Sequence, residues 1–159
     1  MARPIIAILD RFETLIEAIS DPDDTRVSFA RVEGPDSIEL VKFTSPEDAH
    51  RRYQLTVGGH SPRKPELMGT LAIQYERVTV RVSYGMESTQ AFDGFREIVR
   101  WAAEDYDRIV RALTFPSTPW GSSTNIRGLP DPVVRSVPVD QGGGLFIVDI
   151  AFEFLYASP

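Results

Sequence analysis

The sequence predicts an α+β fold: a mostly antiparallel β-sheet with an N-terminal helix and one long helix, at about 93–113, packed on it. From Phe95 to Leu113, apolar residues recur at intervals of three and four, which is the spacing of one stripe on a helix. On either side of this helix, the segments 71–84 and 145–156 alternate apolar and polar residues, as strands with one buried face do. The apolar face of this helix is therefore expected to pack against the sheet.

The N-terminal helix is predicted over 4–19, where apolar residues again form one stripe. Pro4 suits the first helical position, and Pro22 cannot continue the helix. Alternation and capping residues predict four shorter elements: strands at 25–32, 38–43 and 52–57, and one helical turn at 45–48.

In the segment 71–84 the apolar residues change parity. Leu71, Ile73 and Tyr75 occupy odd positions, whereas Val78 and the apolar residues after it occupy even positions. Because a shift of one residue moves every side chain to the other face, the pattern predicts a bulge or bend at 76–77, or two strands that meet there. The last strand is predicted to form a hairpin with 133–139 around a glycine-rich tip.

The chain of 159 residues is predicted to form one domain over 1–159. A domain of this size buries roughly 70% of its unfolded surface, so it needs no disulfide or metal in order to fold. Mobile loops are predicted at about 58–69 and 114–132, where proline, glycine and polar residues accumulate.

The composition excludes several classes of protein. The sequence contains no cysteine, which removes thiolate metal sites and cysteine nucleophiles. The net charge of −6 is not the basic footprint of a dedicated nucleic-acid binder. No apolar run approaches the 18 or so residues of a membrane helix, so we expect a soluble protein without a membrane partner.

No constellation of residues indicates catalysis. His50 and His60 lack metal-ligand spacing, and the glycines at 142–144 are followed by no helix that could complete a phosphate site. The acidic residues of the long helix are interpreted as a charged outer face paired with arginines; they are Glu97, Glu104, Asp105 and Asp107. We therefore expect no enzyme activity, no catalytic residue, no metal and no cofactor.

The loop 114–132 carries Phe115, Trp120 and Ile126 among small and polar residues. Aromatic residues on such loops are enriched at protein interfaces, but Trp120 has the equal alternative of packing back onto the core. The other candidates for a subunit or partner interface are charged residues of the strand and the long helix: Arg77, Arg81, Arg96, Arg100 and Glu104.

Four segments carry a resemblance to a known family. They are the helix PIIAILDRFETLIEAI, a strand ending in VTVRVSYG, the helix FREIVRWAAEDYDRIVRAL and, after a loop rich in proline and glycine, the strand GLFIVDIAFEFLYASP. In this order they resemble the tail-terminator, or tail-completion, proteins of long-tailed bacteriophages. The resemblance is one of pattern rather than of a diagnostic motif, and it spans 4–156.

The resemblance implies a structural virion protein at the junction of tail and neck. Six subunits would form a ring that caps the head-proximal end of the tail tube, stops tube polymerisation and offers the neck a docking surface. Its partners would be further copies of itself, the tail tube protein and a neck protein, while DNA passes through without specific binding. The host cytoplasm would be the place of assembly, and the family has no catalytic motif to carry over.

Two alternatives remain. The first is another head–tail connector, a head-completion adaptor or stopper, which would also form a ring but on the portal side. The second, from a different class, is a small α+β enzyme or ligand-binding domain with a pocket between helix and sheet.

Overall fold

The structure is a computed structural model. It describes residues 4–20, 27–32, 43, 46–58, 66–68, 71–85, 93–116, 120, 126, 130–136, 138–140 and 145–158. The helices are α1 (Pro4–Glu17), α2 (Pro46–Ala49) and α3 (Asp93–Thr114). The strands are β1 (Ala30–Arg31), β2 (Arg52–Val57), β3 (Glu66–Met68), β4 (Leu71–Gly85), β5 (Asp131–Arg135), β6 (Val139–Asp140) and β7 (Leu145–Ser158).

One sheet organises these strands in the order β1-β2-β4-β7-β5, with β3 beside β4 and β6 beside β7. Only the short pair β1–β2 is parallel among the described pairings; the other pairs are antiparallel. Its centre is the long pair β4–β7, whose register runs without interruption from Ala72 opposite Ser158 to Gly85 opposite Leu145. The predicted α+β class and the mostly antiparallel sheet are confirmed.

The apolar core lies between the two longer helices and one face of the sheet. Val78, Val80 and Val82 of β4 are fully buried on that face, as are Ile98 and Ile109 of α3. Burying a side chain of this size contributes about 1.5–3 kcal/mol. This face of β4 and β7 is therefore the main source of hydrophobic stabilisation.

Helix α1 crosses the sheet towards the β1 edge. The ring of Phe12 packs edge-on against Phe152 of β7, with centroids 5.8 Å apart. Near its end, Glu17 accepts a hydrogen bond of 3.1 Å from the hydroxyl of Tyr53 in β2, and Glu13 pairs with Arg31 of β1 at 2.7 Å.

Helix α3 lies beside α1 and reaches the opposite edge of the sheet. The hydroxyl of Tyr84 in β4 donates to Asp105 at 3.0 Å, and the guanidinium of Arg135 in β5 lies 4.7 Å from the ring centroid of Tyr106. The two helices consequently lie beside opposite edges of the sheet: the outer flank of α1 lies beside β1, and the outer flank of α3 lies beside β5.

The bulge or bend predicted at 76–77 is wrong. Strand β4 is continuous through these residues and keeps one register with β7. The parity changes because the apolar residues move to the other face, where Ile73 lies opposite Ala157 and Tyr75 opposite Leu155. The observed irregularity is in β5 instead, between Pro132 and Val134.

Several predicted boundaries also change. The predicted loop 58–69 includes strand β3, and the predicted loop 114–132 ends in the first residues of β5. Among the described residues 27–32 of the strand predicted over 25–32, only β1 is a strand, and α1 ends at Glu17. The single arm predicted over 133–139 is two strands, β5 and β6. The helical turn is confirmed as α2, whereas the strand predicted over 38–43 lies outside the described residues except for Phe43.

Candidate functional site

Among the described residues, a cluster of buried charge joins α3 to the start of β2. The guanidinium of Arg51 donates to both carboxylate oxygens of Asp105, at 3.0 and 2.6 Å. Tyr84 and Arg108 donate to the same carboxylate at 3.0 and 3.1 Å. The side chains of Arg51 and Asp105 are only 6% and 0% exposed, so the pair is bidentate and withdrawn from water.

Arg51 itself has an uncommon backbone conformation, with φ at +54°. A residue other than glycine rarely adopts this left-handed backbone conformation. The contacts that Arg51 makes with its neighbours hold it there. Its N–H donates to the carbonyl of Ser83 at 2.9 Å, and its carbonyl accepts from Ala30 at 3.1 Å. The guanidinium also lies 4.9 Å from the ring centroid of Phe29. From its position in the corner before β2, Arg51 therefore contacts the region of β1, strand β4 and helix α3.

His50 extends this cluster towards the beginning of α3. It is buried, and its ring meets those of Tyr84 and Trp101 edge-on at centroid distances of 5.5 and 4.9 Å. A substrate has no direct access to the Asp105 carboxylate because the described partners surround it. The arrangement is suited to holding α3 against the corner of the sheet rather than to proton transfer with a ligand.

The sequence interpretation of Asp105 as part of an outer charged face is wrong. Asp105 is fully buried. Its spacing from Ile98, Ala102 and Ile109 places it on the core stripe, so the helical periodicity contained the signal. Its charge favoured the surface interpretation, and the position of its partner Arg51, 54 residues away, has no local signature.

The candidate residues Arg77 and Arg81 lie together on the face of β4 that points away from the core. Arg77 donates twice to one oxygen of Glu153, at 3.1 and 2.6 Å, and Arg81 binds both oxygens of Asp149, at 2.7 and 3.0 Å. Each pair is directly opposed in the β4–β7 register. These cross-strand pairs, 19–32% exposed, form a ladder of balanced charge, and each contributes up to about 1 kcal/mol.

The candidates on α3 are on the other side of the molecule. Arg96 and Arg100 are exposed and Glu104 is half-buried; Arg100 pairs with Glu97 one turn earlier in the helix. The eight candidate residues therefore do not form one site. The structure divides them among the second face of the sheet, the outside of α3 and the chain after α3.

The three apolar candidates after α3 differ in their surroundings. Phe115 is 74% exposed, the largest exposed fraction among the described exposed apolar residues. Trp120 packs on the core with its ring centroid 5.6 Å from that of Phe12, and its indole N–H donates to the carbonyl of Leu113 at 3.0 Å. Ile126 forms an isolated bridge with Tyr156. Trp120 thus has the core contact that was one of its two alternatives, which leaves Phe115 as the exposed aromatic.

Comparison with known proteins gives no family for the chain: no family model matches it, and no curated protein matches it significantly. Within the part of the chain that the structure describes, no group of three His, Asp or Glu residues is placed to hold a metal ion. No helix among the described residues combines the length and apolar character needed to cross a membrane.

Replacing Asp105 by alanine is expected to lower the free energy of unfolding by about 3–5 kcal/mol, because the buried guanidinium of Arg51 loses its counter-charge. Asp107→Ala, on the exposed side of the same helix, is the matched control and should stay within about 0.5 kcal/mol of the wild type. Urea denaturation followed by circular dichroism measures both values. Equal losses in the two variants would contradict the structural role of the buried pair.

Trp120→Ala is expected to cost about 2–4 kcal/mol, because it removes an aromatic contact with Phe12 and a hydrogen bond to α3. Phe115→Ala should change stability by less than about 0.5 kcal/mol, since its ring is largely in solvent. Thermal unfolding of the two variants separates the residues. If Phe115→Ala were the more damaging substitution, the positions of the two rings would be wrong.

Tyr53 gives the fold a dependence on alkaline pH. Burial, followed by the nearby Glu17 carboxylate, raises the pKa of Tyr53 above its ordinary value. Well below about pH 10, the hydroxyl of Tyr53 is neutral in both the folded and the unfolded chain. Above about pH 10, the hydroxyl ionises readily only in the unfolded chain, so the free energy of unfolding falls as the pH rises. Tyr53→Phe should flatten this fall from about pH 9.5 upward. Unfolding midpoints against pH test this, and parallel curves for the two proteins would refute it.

Proposed function

We propose that the chain is a structural subunit of a long-tailed bacteriophage, a tail terminator. Six copies form a ring on the head-proximal end of the tail tube, where the ring stops tube growth and binds the neck. The virion's junction of tail and neck is its location, and the tube protein and a neck protein are its partners. The protein has no catalytic role in this proposal.

The observation that supports this function most strongly is the order in which the elements are built into the fold. An amphipathic N-terminal helix, a long central strand, a long helix and a long terminal strand follow each other as in the tail-terminator pattern. The two long strands are also direct neighbours at the centre of the sheet. A subunit with this rigid centre presents its helix flanks, strand edges and loops to other proteins.

The two flanks of the helix layer support assembly into a ring. A closed ring uses heterologous contacts, in which each subunit contributes two different surfaces. The flank of α1 beside β1 carries Glu13 and Glu17, whereas the flank of α3 beside β5 carries Tyr106, Arg135 and a 40% exposed Val133. Two unlike surfaces at opposite edges of one sheet are compatible with head-to-tail contacts.

The charge of the chain supports the passage of DNA through such a ring. The net charge is −6, and six copies would surround the channel with an acidic protein. DNA carries a dense negative charge and binds proteins mainly through basic side chains, so an acidic ring does not hold it tightly.

The direct test is to mix the purified chain with a tail tube protein and to examine tube ends by negative-stain microscopy, with light scattering to give the particle mass. The proposal predicts six-subunit rings at one end of each tube and shorter tubes as more chain is added. A ring that binds portal assemblies and ignores tubes would support a head–tail connector instead. A monomer that ignores tubes and is stabilised by a small molecule would support the ligand-binding alternative.

Phe115 is the residue whose substitution should affect assembly without affecting folding. Because its ring is 74% exposed at the end of α3, Phe115→Ala is expected to weaken tube capping at least about tenfold, as loss of an aromatic interface anchor does. Leu155→Ala, at an exposed apolar position on the second sheet face, is the comparison variant. Capping titrations measure both. Capping by Phe115→Ala at wild-type concentrations would remove this residue from the interface.

A further inference from the structure

The flank of α3 that lies beside β5 contains no charged residue. Val99, Ala103, Tyr106 and Val110 recur at intervals of four, three and four, so they form one stripe along the helix. Val99 is 39% exposed, and the other three are partly exposed. The opposite flank of the same helix carries four charged residues instead: Glu97, Arg100, Glu104 and Arg111. Because a helix flank in water is normally polar, the uncharged flank indicates a contact surface.

Strand β5 adds one cation to this apolar flank of α3. Arg135 is exposed, and its guanidinium lies 4.7 Å from the ring centroid of Tyr106. Val133 of the same strand is 40% exposed. Among the described residues, no carboxylate pairs with Arg135. A partner that covers this flank must therefore bring an acidic group, because a cation withdrawn from water without a counter-charge is costly.

The outer flank of α1, at the other edge of the sheet, has the complementary residues. Ile6, Asp10, Glu13 and Glu17 follow the same intervals of four, three and four. Ile6 is 48% exposed, and Glu13 and Glu17 bind Arg31 at 2.7 and 3.2 Å. Asp10 is exposed, and no cation of the described part of the chain pairs with its carboxylate. This flank therefore offers an apolar residue and an available carboxylate one helical turn apart.

The available cation and the available carboxylate lie at similar positions along the strand direction. Arg135 pairs with Ile150 of β7, whereas Phe12, two residues after Asp10, packs on Phe152 of the same strand. A second copy placed edge to edge with the first, in the same orientation, therefore brings its Asp10 towards Arg135 of the first. Pairing two identical flanks would oppose two arginines or two acidic surfaces instead, which is unfavourable. The charges thus favour a second copy in head-to-tail order.

We propose that the apolar flank of α3 is a docking surface for the outer flank of α1 of a second copy. Association removes Val99 and Val133 of one copy and Ile6 of the next from water, and Arg135 pairs with Asp10 across the contact. The contact is heterologous, so each pair of copies keeps one flank of each kind for further copies. It gives the proposed ring its subunit contact, and its closure at six copies rests on that proposed function.

Charge reversal at the two partners tests this contact. Arg135→Glu or Asp10→Arg alone places like charges at every contact, so each should weaken self-association at least about tenfold in sedimentation experiments. An equimolar mixture of the two variants should recover association, because alternating copies again oppose a cation and a carboxylate at every contact. A variant that failed to fold could not be rescued in this way. Arg111→Glu, on the charged flank of α3, is the matched control and should associate as the wild type does.

Three results would overturn the proposal: unchanged association of Arg135→Glu, a mixture that associates no better than its components, or a wild-type chain that stays monomeric. The contact and the tail-terminator function can fail separately. Head-to-tail oligomers that show this charge dependence and ignore tail tubes would support the contact and reject the function. Tube capping by Arg135→Glu at wild-type concentrations would support the function and overturn the contact.

Discussion

The ion pair between Arg51 and Asp105 constrains how the helices lie on the sheet. A carboxylate with no exposed surface is costly unless several donors surround it, and here Arg51, Tyr84 and Arg108 all donate to it. Rotating or sliding α3 by one residue would separate Arg51 and Tyr84 from the carboxylate while leaving much of the apolar contact possible. Hydrophobic burial therefore brings α3 to the sheet, and the polar cluster selects its rotation and its position along the sheet.

The remaining packing follows from this choice. With α3 fixed, Tyr106 meets Arg135 at the β5 edge, and the carbonyl of Leu113 is placed to accept the indole N–H of Trp120. Trp120 then covers Phe12 of α1, which ties the segment after α3 to the first helix. The result is a fold whose centre is held by specific contacts and whose edges differ from one another. The proposed role in assembly would need both properties, because partners recognise surfaces that must not change shape.

The sequence was most informative where a pattern repeats. The α+β class, α3 and β7 were predictable because periods of 3.6 and 2 extend over many residues. The spacing of Arg77 and Arg81 also equals that of Asp149 and Glu153, which is a usable signal for the charge ladder once the strands are paired. The buried pair was missed because its partners are 54 residues apart and a charged residue on a helix is usually exposed. Three-residue strands such as β3 are too short to show periodicity.

The contact between Arg51 and Asp105, and not burial alone, determines the rotation of α3 and its position on the sheet. A double-mutant cycle with Arg51→Met and Asp105→Leu measures that contact directly, since both replacements keep apolar volume in the core. The loss in free energy of unfolding of the double variant is predicted to be at least about 2 kcal/mol smaller than the sum of the losses of the two single variants. Losses that simply add, within about 0.5 kcal/mol, would show that the two side chains stabilise the fold independently and would contradict the account.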